Sequence, residues 1–150
     1  LERLLSVPGV HLVAPHQWSA VRHAIRWPEF GRDYTSDHYP QEAGLEALAV
    51  SFNKGCYLGQ EAVFMLQKRG KPPKRLVRFS WPEEPPTVGD DVMAGDKKAG
   101  LVTSFATVDG ETSVMAMMKS KFLEADAALR VNTTPVTAEV LTPAFIAEGN

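Results

Sequence analysis

The chain has 150 residues, of which 44% are hydrophobic and 23% charged, a composition typical of a soluble globular protein with one ordinary domain or two small ones. The formal net charge of −2 is unevenly distributed, because residues 1–78 carry 11 Lys/Arg against 7 Asp/Glu (+4) and residues 79–150 carry 5 against 11 (−6). No apolar run approaches the roughly 20 residues of a bilayer-spanning helix. The single cysteine excludes an internal disulfide and an all-cysteine metal site. These observations together favour a cytoplasmic, reducing location.

The first part of the chain is predicted to consist of short elements joined by loops. Residues 10–13 are apolar and β-prone, which predicts a short strand. Residues 18–26 are predicted to form an amphipathic helix that stops before Pro28. Residues 31–42 have no periodicity and are expected to be loop, and residues 43–50 are expected to hold a helical turn or two. The apolar residues at helical spacing in the amphipathic helix are Trp18, Val21, Ala24 and Ile25.

A motif with two glycines precedes the clearest helix signal in the chain. It runs from Lys54 to Glu61 and reads KGCYLGQE. Residues 60–69 are good helix formers and are predicted to be helical, with Gly70 at the C-terminal end of the helix. Two consecutive prolines follow at positions 72 and 73, and they prevent the helix from continuing.

After residue 73 the pattern changes to short alternating runs separated by turn residues. The runs cover residues 76–81, 99–105, 112–119 and 136–141. In the first run one face carries Val77, Phe79 and Trp81, and in the second one face carries Ala99, Leu101, Thr103 and Phe105. Short strands at this spacing predict a small antiparallel β-barrel or sandwich. The sequence therefore predicts an α+β fold with domains at residues 1–73 and 74–150.

Cys56 is the sharpest chemical feature of the sequence. A free thiol has a pKa of about 8.5, and only its thiolate is a good nucleophile or metal ligand. Three local features favour the thiolate: the cation of Lys54, the start of the helix near Gly59, and a glycine loop that lets backbone N–H groups point inward. The alternative is a small, inert, buried side chain, which is common for free cysteine. Spacing alone leaves both interpretations open.

The motif resembles the Lys-Gly-Cys-Tyr-x-Gly-Gln-Glu signature of the YgfZ family and matches it at every fixed position. Residues 39–45 (YPQEAGL) resemble the segment that precedes this signature, and residues 100–104 (GLVTS) resemble a piece of the C-terminal barrel of the glycine-cleavage T-protein. The resemblance runs from about residue 18 to about residue 141. The chain is thus similar to the C-terminal portion of a YgfZ-type folate-binding protein of the aminomethyltransferase-like superfamily.

The resemblance implies a fold of three domains around a central folate pocket. Residues 1–73 would supply the end of the middle, T-protein-like domain, and residues 74–150 the C-terminal β-barrel. The upstream domain is not part of this sequence, so the resemblance implies that the tetrahydrofolate pocket is incomplete here. Cys56 and Lys54 match the residues regarded as functional (catalytic) in the family, with Tyr57, Gln60 and Glu61 as supporting, cofactor-binding residues.

The function that the resemblance implies is a folate-binding accessory role in the assembly or repair of iron–sulfur clusters in client proteins. One thiolate cannot complete a four-ligand cluster site, so no resident metal is assigned to the chain. Two alternatives stay open: an aminomethyltransferase of the glycine-cleavage type that uses tetrahydrofolate, and a non-catalytic binding module. Whether the protein is an enzyme is left undecided at this point.

The remaining charged residues give weaker signals. The acidic residues of the loop are expected to be solvated, and the four histidines show no metal-ligand spacing. The basic run at residues 68–75 holds five cations and suits either an anionic folate tail or RNA phosphates, or is simply a solvated linker. It lacks interleaved aromatic residues, so nucleic acid is not expected as a partner, and neither is a membrane. The loop acids are Glu29, Asp33, Asp37 and Glu42.

Overall fold

The structure is a computed structural model that describes residues 2–82, 84–108, 110–124 and 127–144. Four α-helices come first: α1 Glu2–Leu5, α2 Pro15–Ala24, α3 Glu46–Ala49 and α4 Gln60–Arg69. Seven strands follow: β1 Lys74–Trp81, β2 Asp91–Ala94, β3 Lys97–Val108, β4 Glu111–Lys119, β5 Leu129–Val131, β6 Thr134–Val136 and β7 Glu139–Val140. A short 3-10 helix, Ser120–Phe122, lies between β4 and β5. Helices followed by antiparallel strands make this an α+β fold, which confirms the predicted class.

The seven strands form one antiparallel sheet in the order β6-β5-β2-β3-β4-β1-β7. β1 pairs with β4 along its whole length, from Lys74 opposite Lys119 to Trp81 opposite Thr112. The sheet curls into a half-barrel, because β6 at one edge contacts β1 near the other edge. The division of the chain at residue 74 stays a prediction, and residues 145–150 of the second predicted domain lie outside the described residues.

The main core lies inside the curled sheet. Val77, Phe79 and Trp81 of β1 point into it, as the alternation of that run predicted. The opposite face of the same strands is also covered, because Leu76 packs with Met115 and Met117 of β4 on the outside of the half-barrel. Two residues from other segments, Tyr34 and Leu141, complete that second cluster. Strands covered on both faces carry apolar residues at consecutive positions, as β4 does.

The predicted face of the second run is wrong at Leu101. Leu101 is 38% exposed, whereas its neighbour Val102 is 1% exposed and belongs to the main core. The register of the sheet shifts before Leu101 and after Val102, since Ala99 has no partner residue on β2 and Thr103 has none on β4. Such β-bulges insert one extra residue and reverse which face the following side chains occupy.

Two further strand predictions are wrong. Residues 136–141 are not one strand: β6 ends at Val136 and pairs with β5, and β7 begins at Glu139 and pairs with β1 at the other edge of the sheet. Residues 10–13 form no strand, and Leu12 is 71% exposed. Apolar residues there have no neighbouring strand to pair with, so β-propensity alone does not produce a strand.

The first part of the chain packs against the outer face of the half-barrel. α2 confirms the helix predicted near residue 18 but begins earlier, at Pro15. It contacts β3 and β4 through the buried Arg22 and His23, while its apolar residues Trp18 and Val21 are 43% and 49% exposed. The packing against the sheet therefore depends on polar side chains.

Gly44, in the loop after α2, lies close to the backbone of the residue that follows β7. Its φ is +72°, and a Cβ at this position would lie 2.6 Å from the carbonyl oxygen of Leu141. Nearby, the Leu76 N–H donates to the carbonyl of Glu42 at 2.7 Å. A side chain at residue 44 would force these segments apart.

Candidate functional site

The KGCYLGQE motif forms a loop that leads directly into α4. Gly59 precedes the helix with φ +83°, a left-handed conformation that favours glycine. The Gln60 N–H donates to the carbonyl of Tyr57 at 3.2 Å, and the Val63 N–H donates to the carbonyl of Gly59 at 3.3 Å. The second glycine of the motif is therefore required for the tight turn from loop to helix.

The thiol of Cys56 is exposed, and two of its neighbours in the motif contact each other. Cys56 is a free cysteine, and the ammonium of Lys54 lies over the ring of its neighbour Tyr57, 4.6 Å from the centroid. This is a cation–π contact, which holds the lysine stem and the half-buried ring together. Gln60 is half-buried and Glu61 is exposed, both in the first turn of α4. The structure thus places all five predicted site residues on one short stretch of surface.

An edge-to-face aromatic contact fixes the start of the loop on the helix. The rings of Phe52 and Phe64 are 5.4 Å apart at an interplanar angle of 89°. On the other side, the Gln41 side-chain amide donates to the carbonyl of Val63 at 3.0 Å, which ties α4 to the loop after α2. The aromatic contact limits movement of the loop relative to α4, and the hydrogen bond limits movement of α4 relative to the loop after α2.

An open concave surface of mixed character surrounds the thiol, and we call it the signature surface. It is lined by Cys56, Tyr57, Phe64, Met65 and Lys68, together with the other motif residues from Leu58 to Glu61. Leu58 and Met65 are exposed apolar side chains on this surface. The thiol can therefore meet a ligand or a protein partner directly from solvent, although the surface does not enclose a ligand.

The described residues contain no group of three His, Cys, Asp or Glu side chains close enough to hold a metal ion. Across the same ranges, none of the helices combines the length and the apolarity that crossing a membrane requires.

Sequence analysis missed a buried polar cluster between α2, the following loop and the sheet. Asp33, expected to be solvated, is 1% exposed and accepts hydrogen bonds from Arg22, Thr103 and Ser104 at 2.5, 2.7 and 2.5 Å. Glu42 was also expected to be solvated and is 3% exposed; its carboxylate accepts from the backbone N–H of Tyr39. A loop carboxylate can be buried when donors satisfy it; two of the donors to Asp33, Thr103 and Ser104, come from a distant part of the chain.

His23 lies at the centre of this cluster and is 1% exposed. Its Nε2 is 3.1 Å from Ser104 Oγ, and its Nδ1 is 3.3 Å from Ser113 Oγ. Burial, together with the nearby cation of Arg22, lowers the pKa of His23 from 6.5 to about 4, although the Asp33 carboxylate opposes the shift. His23 is therefore neutral at physiological pH.

The basic run carries less free charge than its composition indicates. Lys71 pairs with Glu124 at 3.0 Å, and Arg75 pairs with Glu46 at 2.9 Å. Two of its five cations are thus already matched by carboxylates of the same chain. This reduces the charge that an external polyanion would meet.

Comparison with known proteins identifies relatives of the chain. Residues 74–144 match the family model of the C-terminal β-barrel domain of CAF17. The chain is 37% identical over 92 residues to the tRNA-modifying protein YgfZ of Colwellia psychrerythraea, covering 56% of this chain and 28% of that protein. It is 33% identical over 122 residues to the tRNA-modifying protein YgfZ of Yersinia enterocolitica, covering 77% of this chain and 37% of that protein.

Among solved structures, the fold is similar to that of the glycine cleavage system aminomethyltransferase T from Bartonella henselae. The TM-score is 0.68 at 18% identity, and the match covers 85% of this chain and 37% of that one. The chain thus spans about a third of the length of the relatives that it matches.

Proposed function

The chain is a YgfZ-type C-terminal portion that carries the CAF17 C-terminal β-barrel, and from this premise we propose that the whole protein binds tetrahydrofolate and supports iron–sulfur clusters in client proteins through Cys56. The observation that carries the proposal is the exposed, free thiol within an intact signature at the start of α4. A buried sulfur would have favoured an inert structural role.

Each of the five predicted site residues has a proposed part in this function. Cys56 acts as a single ligand to a cluster in transit, or as a nucleophile, and any further cluster ligands come from the client. Lys54 keeps a cation beside the thiol loop and is itself held by the Tyr57 ring. Tyr57 offers an aromatic face, and Gln60 and Glu61 offer polar atoms, to the folate. The signature surface is open, so the folate pocket needs walls from the rest of the whole protein.

The name of the relatives suggests which clients to expect. They are called tRNA-modifying proteins, and we propose that the clients of this protein include iron–sulfur enzymes that modify tRNA. Direct binding of tRNA by this chain is less well supported than an effect through such client enzymes, because internal ion pairs engage two of the five cations of the basic run.

Alkylation kinetics test the role proposed for the thiol. Cys56 should react with iodoacetamide at neutral pH several-fold faster than free cysteine, and Lys54→Gln should slow it toward the free rate. Lys121→Gln is the matched control, because Lys121 also lies over an aromatic ring, 5.0 Å from the Phe122 centroid, but outside the signature surface. Labelling as slow as free cysteine in the folded chain would contradict an activated thiol.

Tetrahydrofolate titration tests the cofactor. The full-length protein should bind saturably, and Tyr57→Ala should weaken binding by about 1–2 kcal/mol if the ring contacts the ligand. The 150-residue chain should bind much more weakly, because its surface is open. Absence of saturable binding by the full-length protein would reject the folate role.

A second candidate function is aminomethyl transfer to tetrahydrofolate, which the fold similarity favours. It is distinguished by turnover of an aminomethyl-lipoyl carrier protein by the full-length protein. Measurable turnover that survives Cys56→Ala would replace the first proposal with this one.

A further inference from the structure

Arg78 of β1 is a half-buried cation without a carboxylate partner. Four arginines with described side chains are buried or half-buried, and three of them contact a carboxylate: Arg22, Arg26 and Arg75, at 3.1 Å or less. Within the described residues, the guanidinium of Arg78 makes no ion pair, and its one hydrogen bond is from Nε to Ser113 Oγ at 3.0 Å. Because removing a charge from water is costly, a partly desolvated guanidinium is most stable with an anion beside it.

A chain of hydrogen bonds with a defined direction holds Arg78 in place. Ser104 donates its single hydroxyl proton to Asp33, so its contact with His23 uses the proton on His23 Nε2. His23 Nδ1 is then an acceptor, and Ser113 donates to it while its oxygen accepts from Arg78 Nε. This order fixes the tautomer of His23 and the orientation of the guanidinium.

Arg78 lies on the wall of a cleft at the end of the half-barrel, with a volume of about 1130 Å³. Ser80 and Ser113 add hydroxyl groups to the lining, and Trp81, Pro82 and Val136 add apolar surface. An apolar lining with a few oriented polar groups is typical of small-molecule sites. The cleft is separate from the signature surface, since the two share no lining residue.

We propose that this cleft binds a small oxyanion, a carboxylate or a phosphate group on a compact apolar body, through the terminal nitrogens of Arg78. A guanidinium binds such groups with two parallel hydrogen bonds, and both terminal nitrogens of Arg78 are without an acceptor in the described residues. The apolar walls contact the rest of the ligand.

The acidic residues of the cleft limit the charge of the ligand. Glu139 is matched by Arg26 at 3.0 Å, and Glu111 lies exposed in the same lining. Among the lining residues Arg78 (+1) faces Glu111 and Glu139 (−2), and Arg26, which lies outside the lining, offsets the charge of Glu139 through its ion pair; His23 is neutral at physiological pH. A singly charged ligand is therefore favoured over a polyanion, and Glu111→Gln should strengthen binding a few-fold.

The test is an NMR titration of the ¹⁵N-labelled chain at constant ionic strength, with benzoate and inorganic phosphate as probes. The Arg78 Nε–H resonance should shift saturably with at least one probe; benzoate alone would assign an organic carboxylate, and phosphate alone a phosphoryl group. Arg78→Gln should weaken binding at least tenfold. Arg75→Gln removes a cation that lies on the same strand but already has a carboxylate partner, so this substitution should change the binding affinity less than twofold.

Three results would overturn the proposal. The first is no saturable shift of the Arg78 resonance with either probe, an observation on the unmodified chain that does not depend on how the variants fold. The second is equal loss of binding in both arginine variants, which would show only a general charge effect. The third is binding that shifts resonances of the signature surface instead of the cleft.

Discussion

The low pKa of His23 predicts that the folded chain loses stability in mildly acidic solution. The imidazole is neutral in the fold, where burial and the cation of Arg22 lower its pKa to about 4, and the value in the unfolded chain is near 6.5. Above pH 6.5 both states are neutral, so His23 adds no pH dependence. Between pH 6.5 and 4 the unfolded chain takes up a proton that the folded chain does not, so stability falls as the pH falls.

The size of this effect follows from the two pKa values. A difference of roughly 2.5 units corresponds to about 3 kcal/mol, lost progressively across that window and constant below it. This is a large fraction of the 5–15 kcal/mol that is typical of a domain.

Urea unfolding at a series of pH values from 7.5 to 4 measures the effect. His23→Gln removes the titrating group, so its stability should fall less steeply between pH 6.5 and 4 than that of the unmodified chain. His16→Gln is the matched control, because His16 is an exposed histidine of the same helix, and its slope should equal that of the unmodified chain. Identical slopes for the His23 variant and the unmodified chain would refute the reasoning.

Two substitutions test the packing of the first part of the chain on the half-barrel. Asp33→Asn should destabilise the fold by about 3–5 kcal/mol in urea unfolding, because it leaves the buried Arg22 without its closest carboxylate. The control is Asp37→Asn, at an exposed position, which should change stability by less than about 0.5 kcal/mol. Similar effects of both substitutions would show that the buried pair is unimportant. Gly44→Ala should destabilise the fold by about 2 kcal/mol or more, since the new Cβ would meet the Leu141 carbonyl and the residue has a positive φ. Gly55→Ala is the control, because a Cβ at that position would lie in open space. An unchanged melting temperature for Gly44→Ala would contradict the close contact.

The parts of the fold that sequence predicted well have long, regular patterns. β1 alternates from Val77 to Trp81, β4 carries a continuous apolar run from Val114 to Met118, and α4 is bounded by glycines on both sides. β2 was missed because it has four residues and only Val92 is buried in it. Leu101 was misplaced because bulges depend on the partner strands, whose register is not visible in the sequence.

The polar cluster shows a second limit of sequence reasoning. Periodicity assigns the apolar face of α2 to the interior, yet the buried face carries Arg22 and His23. Their partners lie on the following loop and on β3 and β4, up to 93 residues away along the chain. A signal of this kind is not local, so neither the burial of Asp33 nor the cleft beside Arg78 was accessible before the structure. The motif around Cys56 was accessible because its residues are consecutive.

The most direct measurement of the proposed function is the activity of iron–sulfur enzymes in cells that lack this protein and receive the full-length gene with or without Cys56→Ser. The account predicts that the unmodified gene restores these activities and that the variant, expressed to the same level and folded, does not. Because the thiol is exposed, this isosteric change leaves the packing of the fold intact, so the comparison isolates the chemistry of the sulfur. Full restoration by the variant would contradict the claim that the protein acts through this sulfur.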